Sequence, residues 1–277
     1  MCLIDDFFLN EDRIRRVLSG KIEGELHIDF AARQALETPT APTAAEASIR
    51  AWMVAYSVMP RAKNLTKPVI DDLIKAIISY APQMTSSITA DSIRARHSEI
   101  CTHCNTVNGI KIKDEHGVET DRDFTSMASK LLWLLHPDVV PILDSQARCA
   151  TRVIARMSGK IETPGFLVDG RRGFVLDQYC AFLKLHDMCF SHLYAPIDAI
   201  IKKEFSSIFG GATRQNASIT EANAKNQYGN HMTVIDQILW HLGSDIAVDG
   251  CNTKKARKRP TRKKPPKTAM SGSQRSN

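Results

Sequence analysis

Residues 129–148 read SKLLWLLHPDVVPILDSQAR, and the reading of this stretch decides the fold. Just before and within it, Phe124, Ala128, Leu131 and Leu135 recur at helical spacing, flanked by Leu132 and Leu134. Pro137 must end that helix, because the residue before a proline is driven out of the α region. VVPIL is apolar and β-branched with Pro141 inside it, which fits a buried extended connection and not a central strand. Asp144-Ser145 then forms an N-cap pair for a second helix, SQARCATRVIARM. On that helix Ala147, Ala150, Ile154 and Met157 make the expected buried stripe. Arg148, Arg152 and Arg156 lie four apart on another face. Such a line of like charge costs roughly a few tenths of a kcal/mol per pair unless an anion or an acidic partner faces it.

Outward from this centre the pattern stays helical. Segments 3–18, 43–58, 67–80, 90–106, 124–136, 145–157, 173–187, 195–208 and 231–246 carry apolar residues at helical intervals. IKIKDEHGVETDRD (110–123) alternates Lys and Ile and holds a glycine, which predicts a small hairpin or loop. Two polar stretches, 158–173 and 210–231, read as long loops, with Gly210-Gly211 as a linker. The expected class is all-α. The chain divides into a multi-helix globular domain (1–251) and a disordered basic tail (252–277).

Charge is concentrated in that tail. It contains ten Lys/Arg and no acid, so the net +7 of the 277-residue chain becomes −3 for residues 1–251. The run KKARKRPTRKKPPK includes Lys254, Lys255, Arg257, Lys258, Arg259, Arg262, Lys263 and Lys264. Such a run binds polyanions by counterion release, with strong salt dependence and little sequence preference. Nucleic acid is therefore the expected partner, through the tail. No apolar run is long enough for a membrane helix, and the charged start is not a secretory signal. Seven scattered cysteines fit reduced thiols better than a disulfide framework. The expected location is cytoplasmic, or nuclear in a nucleated cell.

The order small Ala, apolar helix, Pro, Pro-Ile-Leu-Asp, helix resembles the core of the helix-hairpin-helix DNA glycosylase superfamily. It is most similar to the divergent bacterial branch of 8-oxoguanine-glycosylase-like proteins. The residues concerned are Ser129-Lys130-Leu131-Leu132, Pro137 and Pro141-Ile142-Leu143-Asp144, within about 124–157. A weaker echo is Asp236-Gln237-Ile238-Leu239-Trp240. The resemblance implies that Asp144 is the carboxylate that helps expel a damaged base after it is flipped from the duplex. A helix N-terminus favours negative charge, so the capping and catalytic readings of Asp144 share one local geometry. The sequence departs from the family at the hairpin, where Arg122-Asp123-Phe124-Thr125-Ser126 has no glycine. Lys130 follows Ala128, whereas the family's imine-forming lysine precedes that alanine. That role is not carried to Lys130, which joins Arg148, Arg152 and Arg156 as a candidate nucleic-acid contact.

Two other groups invite chemistry. His97, Cys101 and Cys104 share a helical face and are zinc-type ligands, but no second pair completes a site, and the blander reading is two buried thiols with a surface histidine. His186-Asp187 and His192, with Cys180 and Cys189 near, carry no nucleophile motif. No metal and no cofactor is expected. Two functions stay open: a nucleic-acid-binding protein with a degenerate glycosylase-like core and possible base excision, or a non-catalytic interaction protein, an accessory or defence factor of a mobile element, whose arginine stripe meets an acidic partner.

Overall fold

The computed structural model describes residues 3–38, 42–58, 67–106, 111–113, 119–121, 124–157, 176–212 and 219–246. Helices dominate, as the periodicity predicts. The first segment divides in two. α1 (Leu3–Phe8) stops before Asn10, whose side chain accepts the Arg13 N–H at 2.9 Å and starts α2 (Glu11–Gly24). α3 (Leu26–Glu37) has no counterpart among the predicted helices, because its buried face carries Asp29 among Leu26, Ala32, Ala35 and Leu36. α4 (Pro42–Ala55), α5 (Lys67–Ser79), the short α6 (Ala81–Met84) and α7 (Ala90–Thr106) follow. The expected hairpin is present as β1 (Lys111–Lys113) and β2 (Glu119–Asp121), antiparallel, with Ile112 opposite Thr120.

α8 (Thr125–Leu135) is the axis of the core. Every residue except Ser126 is buried. A helix that is apolar nearly all round must be enclosed all round, so three of its polar members, Thr125, Ser129 and Lys130, are carried inside with it. At His136 the backbone leaves the helical region (φ −133°, ψ 60°), as Pro137 requires. The connection reaches Asp144, and α9 (Ser145–Met157) begins there. α10 (Leu176–Phe190), a 3-10 turn (Ser191–Leu193), α11 (Tyr194–Ala212), α12 (Glu221–Tyr228) and α13 (His231–Ile246) complete the described elements. Buried residues from α1 through α13 form one apolar cluster.

Several expectations need correction. The stretch 210–231 is not a loop throughout: Gly210 and Gly211 lie inside α11, and Thr220 caps α12 by accepting the Asn223 N–H at 3.3 Å. The polar composition of α12 hid it, since only Ala224, Gln227 and Tyr228 are buried. Met157 does not extend the buried stripe of α9 and is 69% exposed, whereas Ala147, Ala150 and Ile154 are buried. Cys101, Cys104, Cys180 and Cys189 are free thiols, but Cys149 is disulfide-bonded. The loop 158–173 and the basic tail, including Lys254, Lys255, Arg257, Lys258, Arg259, Arg262, Lys263 and Lys264, lie outside the described residues. No helix among the described residues is long and apolar enough to cross a membrane.

α9 packs principally on α13. The two backbones approach so closely at Gly243 that a Cβ there would stand 2.1 Å from the Gln146 carbonyl oxygen. Only glycine permits this crossing, which brings α13 against the N-terminal turn of α9, next to Asp144.

Candidate functional site

Asp144 caps α9 as its sequence position predicts. One carboxylate oxygen accepts the Ala147 N–H at 2.9 Å, and the Asp144 carbonyl accepts the Arg148 N–H at 3.0 Å. The other oxygen does something the cap reading does not require. It stands 3.6 Å from the Lys130 ammonium, and each of the two side chains is only 10% exposed. Asp144 and Lys130 both line a cleft of about 1130 Å³, together with Arg13, Arg16, Lys21, Tyr56, Arg148 and Trp240. The carboxylate is thus at a cleft wall and not sealed among apolar side chains.

Lys130 also donates to the Tyr56 carbonyl oxygen at 3.3 Å, and its Nζ lies 5.8 Å from the centre of the Tyr56 ring. Burial pushes the Lys130 pKa down, because removing water penalises the ammonium; neighbouring Asp144 pulls it back up. A second buried lysine, Lys21, places its Nζ 5.1 Å from the same ring and pairs with Glu25. The Tyr56 hydroxyl donates to Asp29 at 2.7 Å, and Tyr228 donates to the same carboxyl oxygen. Enclosure raises the Asp29 pKa to about 7, against the opposing pull of Lys21 and the two tyrosines.

The segment that presents Asp144 is held from behind by three buried side chains. The Tyr179 hydroxyl donates to the Pro141 carbonyl at 3.2 Å. Asp236 Oδ2 accepts the Ile142 N–H at 2.6 Å. Ser129 Oγ accepts the Leu143 N–H at 3.1 Å and donates to the Ser126 carbonyl at 3.0 Å. Buried backbone groups outside regular structure need such partners. Behind Asp236 stands His186, with Nε2 at 3.8 Å from Asp236 Oδ1. Burial pushes the Asp236 carboxyl well up and the imidazole down to about 3, because removing water penalises the charged form of each.

Of the candidate residues, Lys130, Asp144 and Arg148 come together at the cleft. Arg152 is half-buried further along α9, and the side chain of Arg156 lies outside the described residues. His97 is not a surface residue. It is buried, its Nε2 lies 3.1 Å from the Thr125 carbonyl oxygen, and it stacks on Tyr179 with ring centroids 4.0 Å apart. Cys101 and Cys104 are buried beside it, and burial raises the Cys104 thiol to about 12. Among the described residues no three His, Cys, Asp or Glu side chains are grouped to hold a metal ion. His186 meets Asp236 and not its neighbour Asp187, which is exposed; His192 is exposed and bonds Asp5 at 2.8 Å.

The sequence reading missed Tyr56, Lys21, Asp29 and the roles of Ser129 and Asp236. Two signals were available. Lys130 is the one charged residue of α8, and Asp236 stands inside MTVIDQILW. A charged residue on the enclosed face of an apolar helix must have a buried partner. Comparison of the chain with family models, curated proteins and solved structures gave no match.

Proposed function

We propose that this chain binds nucleic acid and removes a base in the cleft, cleaving an N-glycosidic bond with Asp144, held beside Lys130. The carrying observation is the pair itself: a carboxylate at a helix N-terminus, 3.6 Å from a buried amine, on the wall of a cleft. A base turned out of its stack would enter the cleft. Asp144 would stabilise positive charge on the sugar as the base departs. The base would leave with the bonding electron pair and take up a proton, water would add to the sugar carbon in its place, and Lys130, held 3.6 Å from Asp144, would contact a neighbouring phosphate. Arg13, Arg16 and Arg148, which also line the cleft, suit the phosphates on either side of the base. The basic tail adds non-specific, salt-dependent attraction.

The test is incubation of the purified chain with a panel of duplexes carrying single damaged bases. Wild type should generate abasic sites on at least one duplex. Asp144→Asn should lose base release, and Lys130→Ala should weaken binding of the duplex. Blank results for wild type on the whole panel sink the enzymatic reading and leave the cleft as a binding site for a non-catalytic interaction protein.

A further inference from the structure

Asp144 is only as well placed as the backbone that precedes it, and that backbone has no regular structure. Two of its consecutive N–H groups are buried, and each is accepted by a side chain from a different helix. Ile142 gives its N–H to Asp236 of α13, and Leu143 gives its N–H to Ser129 of α8. The next residue is Asp144. Asp236 is 94 residues away from Ile142 in sequence, so this grip is not a local consequence of the turn.

Asp236 is a costly choice for an anchor. Its side chain is 2% exposed, that of His186 is 1% exposed, and at 3.8 Å separation neither Asp236 Oδ1 nor His186 Nε2 has a hydrogen-bond partner among the described residues. A purely apolar core would have avoided both groups. What Asp236 supplies is a fixed acceptor for Ile142, at 2.6 Å, on the helix that Gly243 seats against the first turn of α9. Asp236 therefore ties the helix packed on α9 to the segment that leads into α9.

We infer that Asp236 and Ser129 are positioning residues: they hold the 142–143 backbone so that Asp144 faces Lys130 across the cleft wall. The inference deepens the reading of Lys130 and Asp144 as the working pair and rests on it for its link to activity. An acceptor, not a charge, is what the position needs. An asparagine at 236 keeps the oxygen for Ile142 and presents an N–H to His186, so Asp236→Asn should preserve the geometry while Asp236→Ala should not. Supporting groups behind a reactive side chain act in this way when they set its orientation.

The experiment follows the Lys130 ammonium by NMR titration of lysine side chains, with its signal assigned through Lys130→Arg. Removal of the neighbouring carboxylate in Asp144→Asn should lower the Lys130 titration midpoint. Asp236→Ala and Ser129→Ala should lower it in the same direction, by at least half as much, and neither should lower it further when combined with Asp144→Asn. Asp236→Asn should titrate as wild type. A loss of stability without a change at Lys130 would not move this readout, so melting curves are recorded beside it. If Asp236→Ala does not fold, Ser129→Ala and Asp236→Asn decide alone.

On whichever duplex wild type cleaves, Asp236→Ala should slow base release by about ten- to a hundred-fold, with Asp236→Asn close to wild type. Unchanged Lys130 titration in Asp236→Ala and Ser129→Ala overturns the inference. So does an Asp236→Asn variant that behaves like Asp236→Ala. If wild type releases no base but the titration pattern holds, the proposed function falls and the positioning role stands.

Discussion

At the residue scale the chain spends its buried charge sparingly and in connected groups. Asp144 serves as both a helix cap and a counter-charge, so its loss removes two things at once. Asp144→Ala should destabilise the fold by about 4–6 kcal/mol, the sum of a lost cap and an uncompensated buried ammonium. Urea denaturation measures this. The double variant Asp144→Ala/Lys130→Met should lose less than the two single changes added, because the residues share one interaction. Asp29 supplies a second test. Its carboxyl is raised from 3.8 to about 7 in the fold, so the folded state holds a proton that the unfolded state has already released between those pH values. Stability from this group is fully present below about pH 4 and falls as pH rises through 7. Asp29→Asn removes that slope. Relative to wild type, the variant should gain stability between pH 4 and 7, by at most about 4 kcal/mol. A difference that stays flat over this interval would show that Asp29 is not raised.

At the element scale the crossing of α9 and α13 matters most for the cleft. Gly243→Ala would push a methyl group to 2.1 Å from the Gln146 carbonyl, and backbone cannot rotate away as a flexible side chain can. We expect a loss of about 2–3 kcal/mol and a disturbed first turn of α9, read by urea denaturation and by the Lys130 titration. Gly210 is the opposite case. It lies exposed in α11, and among the described residues nothing beyond its own helix backbone stands within 4 Å of a Cβ placed there. Gly210→Ala should stabilise the protein by about 0.5–1 kcal/mol through helix propensity and a stiffer unfolded chain. The contrast between these two glycines separates a packing requirement from mere tolerance.

At the scale of the whole molecule the charge is divided by region. Residues 1–251 carry −3, and the final stretch carries ten positive charges with no acid. Deletion of 252–277 should abolish most retention of the protein on nucleic acid at low salt, and the salt dependence of binding should flatten with it. Retention that survives the deletion would assign binding to the cleft face with Arg13, Arg16 and Arg148. The same truncated chain should keep whatever base release the full chain has at saturating substrate, since Lys130 and Asp144 belong to the helical body.

The sequence by itself determined the all-α class, most helix limits, the proline stop after α8 and the cap at Asp144, and it left 110–123 as a small hairpin or a loop. These follow from contacts within one or two turns, and the 3.6-residue period and the preferences of Pro, Asp and Ser report such contacts directly. It was silent on α3 and α12, where a buried aspartate or a polar surface blurs the period. Only the tertiary structure decided that Lys130 faces Asp144, that Tyr56 lies beside both Lys21 and Lys130, and that Asp236 and His186 stand behind the connection. The Tyr56 and Asp236 contacts bridge 74 and 94 residues. Their partners are chosen by how closely helices cross, as at Gly243, and no local pattern encodes that distance.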